Sequence, residues 1–280
     1  MTKKELGVVV KIGVPLLIAV GLLIVSSCKK SPEDGSREAT SQSAPEQKQQ
    51  DVQKEPVEAP KAETSPAAKA EETAPAPAAA DGLVPIDIKL PKPLFAGTPQ
   101  NIKVTNLEKP LGKPRPPFLV PAGTKNVALG RSVVSTDEEP IIGEIAMITD
   151  GDKEASDGSY VELAPFKQNV TIDLGAEYNI YAVLLWHYHK EARVYLDVVV
   201  QVADDPDFIT NVRTLFNNDD DNSSGLGLGS DMHYVETAEG KLIDGKGARA
   251  RYVRLYSNGS SSNELNHYIE VEVYGTPSGS

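Results

Sequence analysis

Residues 147–158 read MITDGDKEASDG and set Asp150, Asp152, Glu154 and Asp157 within eight positions, broken by Gly151 and Gly158. Carboxylate and carbonyl oxygens on a tight turn suit a hard cation such as Ca²⁺, and they equally suit a solvated acidic loop. A second acidic stretch, DDNSSGLGLGSD, meets the EF-hand spacing with Asp220, Asn222, Ser224 and Gly225, and puts Asp231 at the closing position. An EF-hand needs a helix on each side, whereas the MHYVETAEG that follows has no helical face, so a polar loop on a domain rim is the favoured reading. His187 and His189 are two apart and would share one face of a strand, where imidazoles could take Zn²⁺ or Cu²⁺. No third ligand accompanies them, and two exposed strand-end histidines are expected instead. The serine-rich NGSSSNELN from Asn258 to Asn266 lacks the strand-to-helix elbow that activates a serine nucleophile. No catalytic constellation emerges, and the chain is not expected to be an enzyme.

The elements that must position these residues occupy only part of the 280-residue chain. A net charge of −12 without a Lys/Arg cluster excludes nucleic acid as a natural partner. Residues 1–27 have a basic start at Lys3, Lys4 and Lys11, then an uncharged stretch from Ile12 to Ser27, the layout of an export signal. It ends in Val25-Ser26-Ser27-Cys28, which resembles the lipobox of bacterial lipoproteins; Cys28, the only cysteine, is the expected lipidation site. An uncleaved anchor helix is the other reading. Both place the remainder in the cell envelope, membrane-anchored and facing the periplasm or exterior. With no second cysteine there is no internal disulfide. Residues 28–82 are rich in Ala, Pro, Glu, Lys, Gln and Ser and lack aromatics, so they cannot bury enough surface to offset their ordering entropy and read as a disordered tether. Residues 83–124 regain Leu, Ile, Phe and Val but keep a proline every few positions. That blocks helix and central strand alike and implies an extended arm.

From residue 125 to 275 the pattern is β, followed by a short tail at 276–280. NVTIDLG, YAVLLWHYH, YLDVVVQVAD, ARYVRLYS and HYIEVEVYG are short, β-branched and bounded by turn residues. In the last, Ile269, Val271 and Val273 alternate with Tyr268, Glu270, Glu272 and Tyr274, which predicts a half-buried antiparallel strand. The fold class is all-β, an antiparallel sandwich.

These blocks, in order, resemble a discoidin domain, the coagulation-factor C-type domain akin to carbohydrate-binding module family 32. NVALGRSVVST (126–136) is similar to the family's first strand, MITDGDKEAS to its early metal-loop region, and VTIDLG to its Val-x-(Ile/Val)-Asp-Leu-Gly strand. DVVVQVADD resembles its central strand, and ARYVRLY with YIEVEVYG its closing pair. Tyr160 stands nearest the place where members usually carry Trp; the single Trp here is Trp186. The resemblance implies a galactose-binding-like jelly roll and a structural Ca²⁺ held by the side chains of Asp150, Asp152 and Glu270 and the carbonyls of Met147, Ala155 and Ile269. Glu154 and Asp157 drop out of that set. It also implies ligand binding by rim loops, for which His187, His189, Arg193, Asn263, Asn266 and His267 have the right chemistry: donors for vicinal hydroxyls beside an aromatic face. The functional expectation is an exported, lipid-anchored, non-catalytic module for carbohydrate or another cell-surface polymer. The alternative is an assembly lipoprotein that contacts a partner protein through its rim or its arm.

Overall fold

The structure, a computed structural model, describes residues 82–95 and 102–279. The export signal, Cys28, most of the tether and the 96–101 stretch of the arm lie outside these residues. The strands are β1 (Leu83–Pro85), β2 (Leu119–Pro121), β3 (Lys125–Asn126), β4 (Ser132–Ser135), β5 (Val161–Leu163), β6 (Gln168–Trp186), β7 (Val199–Ala203), β8 (Arg213–Asn217), β9 (Lys241–Ser257), β10 (Asn266–Tyr268) and β11 (Glu270–Pro277). A 3-10 turn at Ile145–Thr149 is the one helical element among the described residues. All ladders are antiparallel, and the main sheet runs β3-β11-β6-β9-β7-β8 with β4 also paired to β6.

Two long strands make this sheet a sandwich. The sequence suggests separate strands at 169–175 and 181–189; instead β6 runs unbroken from the first into the second, bends, and ends at Trp186. Its first half pairs with β4 and the end of β9, and its second half pairs with β11 and the start of β9. Register slips between Asp173 and Tyr178 and between Ile180 and Ala182 mark the bend, where Gly175 takes a left-handed φ of 81°. The sheet therefore folds over itself. Val170 and Ile172 from one half, Val183 and Leu185 from the other, and Val200, Val202, Val271 and Val273 meet in one buried cluster.

The reverse face of the sheet is covered as well. Ala182, Leu184, Trp186, Ile269 and Tyr274 form a second cluster, and the arm residues Ile86, Ile88 and Phe118 pack on it. β1 and β2 pair with each other, and Ile86 N–H donates to the Phe118 carbonyl at 3.0 Å. Farther along, the Arg115 guanidinium donates to the carbonyls of Glu239 and Gly240 at 3.0 Å, and Lys241 pairs with Glu108 at 2.8 Å. Prolines confine the arm to short edge pairings, so its grip comes from side chains and single backbone bonds. Gly240 is required beneath it: at φ 62° a Cβ there would lie 2.6 Å from the Trp186 ring.

This cover corrects the expectation of a half-buried last strand. HYIEVEVYG is two strands, because β10 pairs with β5 whereas β11 pairs with β6, and the chain turns at Ile269 between them. Tyr268 joins Val271 and Val273 in the inner cluster while Ile269 joins Tyr274 outside, so the alternation slips by one at the turn. Glu270 and Glu272, expected toward solvent, are buried.

Candidate ligand-binding and metal sites

Five of the six residues expected on the rim are interior. His187 is fully buried, 3.1 Å from Glu236 through Nδ1 and stacked on Tyr195 with ring centroids 4.1 Å apart. His189 donates from Nε2 to the Lys153 carbonyl at 2.9 Å, which ties the segment after β6 to the acidic turn. Arg193 lies 4.8 Å from the Tyr188 ring and bonds Glu191 at 3.1 Å. His267 sits 3.0 Å from Glu162, and burial, with the charges of Arg193 and His187, pushes its pKa down to about 3. Burial pushes the Glu162 carboxyl up in turn, against the pull of Arg193. The expectation of exposed histidines fails because Glu236 and Glu162, remote in sequence, supply partners inside the fold.

Asn266 is likewise a clamp and not a surface contact. Its carbonyl accepts from Gly259 N–H at 2.8 Å and its amide donates to the carbonyls of Ala164 and Phe166 at 2.9 and 2.8 Å. One buried side chain thus fixes two rim loops. Between those loops lies a groove of about 420 Å³, lined by Phe166, Leu196, Asn258, Ser260, Asn263 and Glu264 among others. Phe166 is 79% exposed and holds a left-handed φ of 67°. A bulky residue in that backbone region is costly, and such strain concentrates where a side chain must be presented. Of the rim residues expected from the sequence, Asn263 does face solvent; its Oδ1 accepts from Leu265 N–H at 3.2 Å. Phe166 was missed, and its only signal is a lone aromatic between Pro165 and Lys167 in an otherwise polar loop.

The opening turn meets the last strand. Gly151 N–H donates to Glu270 Oε2 at 3.1 Å, while Glu270 Oε1 is buried with no hydrogen-bond partner. Burial raises the Glu270 pKa to about 9, opposed by the Gly151 bond and reinforced by the carboxylates of Glu272 and Asp150. Asp150 and Asp152 each accept a backbone N–H two residues on, at 2.8 and 2.9 Å, which orders the turn. Ala155 is buried and Met147 partly so, and the Met147 carbonyl caps the 3-10 turn by accepting from Asp150 N–H at 3.4 Å. Lys153 is committed to Glu272 at 2.6 Å, and Asp157 pairs with Lys190 away from the site. A buried carboxylate oxygen without a donor, beside a second carboxylate, fits a bound cation, and oxygen-only donors fit Ca²⁺.

A different trio comes closer together. Asp197, Asp219 and Asp221 each offer a carboxylate oxygen, all within 4.8 Å of one another, a geometry that no other set of His, Cys, Asp or Glu reaches among the described residues. The EF-hand positions do not converge: Asp231 accepts from Asn217 N–H at 2.7 Å, Asn222 from Gly227 N–H at 2.7 Å, and Asp220 from the Thr105 hydroxyl at 3.2 Å.

No family model matches this chain. No curated protein matches it either. Solved structures similar to it include a family 89 glycoside hydrolase from Clostridium perfringens (19% identity, TM-score 0.40), of which the match covers 15% against 55% of this chain. The chain thus spans a small part of that enzyme. They also include chitosan-binding module 1 of a chitosanase/glucanase from Paenibacillus sp. IK-5 (22% identity, TM-score 0.37, covering 54% of this chain and 99% of the module). A third is a Streptococcus pneumoniae fucose binding module (16% identity, TM-score 0.39, 54% and 98%).

Proposed function

We propose that this chain is a non-catalytic carbohydrate-binding module, displayed from a membrane by a lipid on Cys28, with a structural Ca²⁺ between its acidic turn and its last strand. The observation that carries the binding role is Phe166, an exposed aromatic residue lining a groove with amide, hydroxyl and carboxylate side chains. An aromatic face covers the apolar C–H patch of a pyranose while Asn263, Ser260, Asn258 and Glu264 meet its hydroxyls. Asn266 holds both walls, so little ordering entropy is lost on binding. His187, His189, Arg193 and His267 serve beneath the rim as support.

In this reading Asp150, Asp152 and Glu270 hold the cation through carboxylates, with carbonyls of Met147, Ala155 and Ile269 completing the shell. Its chemistry is that of a hard clamp: it supplies the partner that Glu270 Oε1 lacks and ties the turn to β11. The test of the binding role is a glycan array probed with the full chain and with Phe166→Ala. The wild type is expected to retain a defined set of glycans that the variant loses. A folded wild type that binds no glycan in Ca²⁺ would favour the protein-partner reading. Metabolic labelling with palmitate tests the anchor, with the label expected to vanish in Cys28→Ala.

A further inference from the structure

The groove beside Phe166 continues beyond its own lining. Leu196, Asn258, Ser261 and Ser262 line it and also line a larger cavity of about 850 Å³, so the two adjoin along that stretch. The larger cavity is lined as well by four residues of the arm, Ile102, Lys103, Val104 and Thr105. The sandwich and the arm therefore build it together.

Both of its sides are anchored. On the arm side, His233 N–H donates to the Asn106 carbonyl at 3.0 Å, Glu108 N–H donates to the His233 carbonyl at 2.8 Å, and the Thr105 hydroxyl donates to Asp220 at 3.2 Å. On the sandwich side, Ser261 N–H donates to the Val194 carbonyl at 2.7 Å while its hydroxyl accepts from Val194 N–H at 3.0 Å. A site fixed in this way loses little entropy when it is filled. Lys103 is exposed and forms no ion pair among the described residues, which leaves its ammonium free to donate.

The lining suits a polyhydroxylated chain. Carboxylate and amide oxygens accept from sugar hydroxyls, an ammonium donates to them, and Val104 and Leu196 offer apolar surface to C–H faces. Sites for small ligands span about 300–1,000 Å³. The groove at about 420 Å³ lies toward the lower end of that range, and the adjoining cavity adds room for further units.

We propose, resting on the carbohydrate-binding reading above, that the ligand is an oligosaccharide stretch and not a single terminal sugar. One unit lies against Phe166, and the units that follow run along Ser261 and Ser262 into the cavity lined by the arm. The arm is then part of the binding site as well as a cover for the sheet.

The test is an array printed with cello-, chito-, galacto- and manno-oligosaccharides of one to six units, probed in Ca²⁺ with the full chain, Phe166→Ala and the double variant Lys103→Ala/Thr105→Ala. Both arm residues are exposed, so their substitution leaves the fold intact, which circular dichroism checks. Ala192→Arg, at a half-buried position that lines the larger cavity and not the groove, is the second probe. The wild type is expected to bind four-unit ligands at least tenfold more tightly than one-unit ligands of the same series. The arm variant and Ala192→Arg should lose that gain and bind one-unit ligands as the wild type does, whereas Phe166→Ala should weaken every length. Affinity that does not rise with length, or a rise that both the arm variant and Ala192→Arg retain, overturns the inference. In either case one-unit binding that Phe166→Ala abolishes leaves the carbohydrate-binding reading standing; a folded wild type that binds no member of any series overturns both.

Discussion

Asn266 and His267, adjacent in sequence, show how single buried polar side chains set the properties of the rim. Replacing Asn266 with Ala leaves a Gly259 N–H and two carbonyls without their partner, a loss of about 2–3 kcal/mol by the cost of unpaired buried groups. Chemical denaturation should register that loss, with glycan affinity falling alongside it because both groove walls loosen. His267 makes the stability pH-dependent. The folded chain keeps it neutral down to about pH 3, whereas the unfolded chain takes up a proton near the ordinary value of 6.5. Between these values the unfolded state binds more protons, so stability is full above about pH 6.5 and declines as the pH falls toward 3. Urea titrations from pH 7 to 4 should show this slope, and His267→Gln should flatten it. An equal slope in the variant would place the acid sensitivity elsewhere.

Among the elements, the arm has the largest structural consequence, because it turns a one-sided sheet into a two-sided one. Trp186 is the only tryptophan, fully buried between the sheet and the neighbourhood of the arm, with its indole N–H donated to the Ala238 carbonyl at 3.1 Å. Substituting Ile86 and Phe118 with Ser strips the arm of its apolar contacts, so the Trp186 emission is expected to move to the red and the melting temperature to fall. Emission unchanged from wild type would mean that the cover is not made by these residues. The strands were legible in sequence where β-branched residues run together, as in NVTIDLG or ARYVRLYS. β8 and the first half of β9, KLIDGKGARA, were not, since Gly, Lys and Asp there conceal an edge-like pattern that pairing with β6 stabilises. The continuity of β6 through LGAEYN was hidden for the same reason. In the site, Asp150, Asp152 and Glu270 could be nominated through ordered motifs. The burial of His187 and His267 could not, because their carboxylate partners lie 49 and 105 residues away.

At the scale of the whole molecule, the proposed reading combines an export signal, a lipid on Cys28 and a Pro-rich tether with a sandwich that carries a groove beside Phe166. In that reading the tether provides reach and the sandwich recognition, so the two can be separated experimentally: Cys28→Ala should release the protein from membranes without changing what it binds. The acidic balance of the chain disfavours nucleic acid as a partner. The most direct measurement is the glycan array, run with the full chain and with Phe166→Ala, each in Ca²⁺ and in chelator. The result expected is a common glycan class bound by the wild type in Ca²⁺, weakened at least tenfold by Phe166→Ala and reduced by chelator. A folded wild type that binds no glycan, or a Phe166→Ala variant that binds the same glycans equally well, would contradict it.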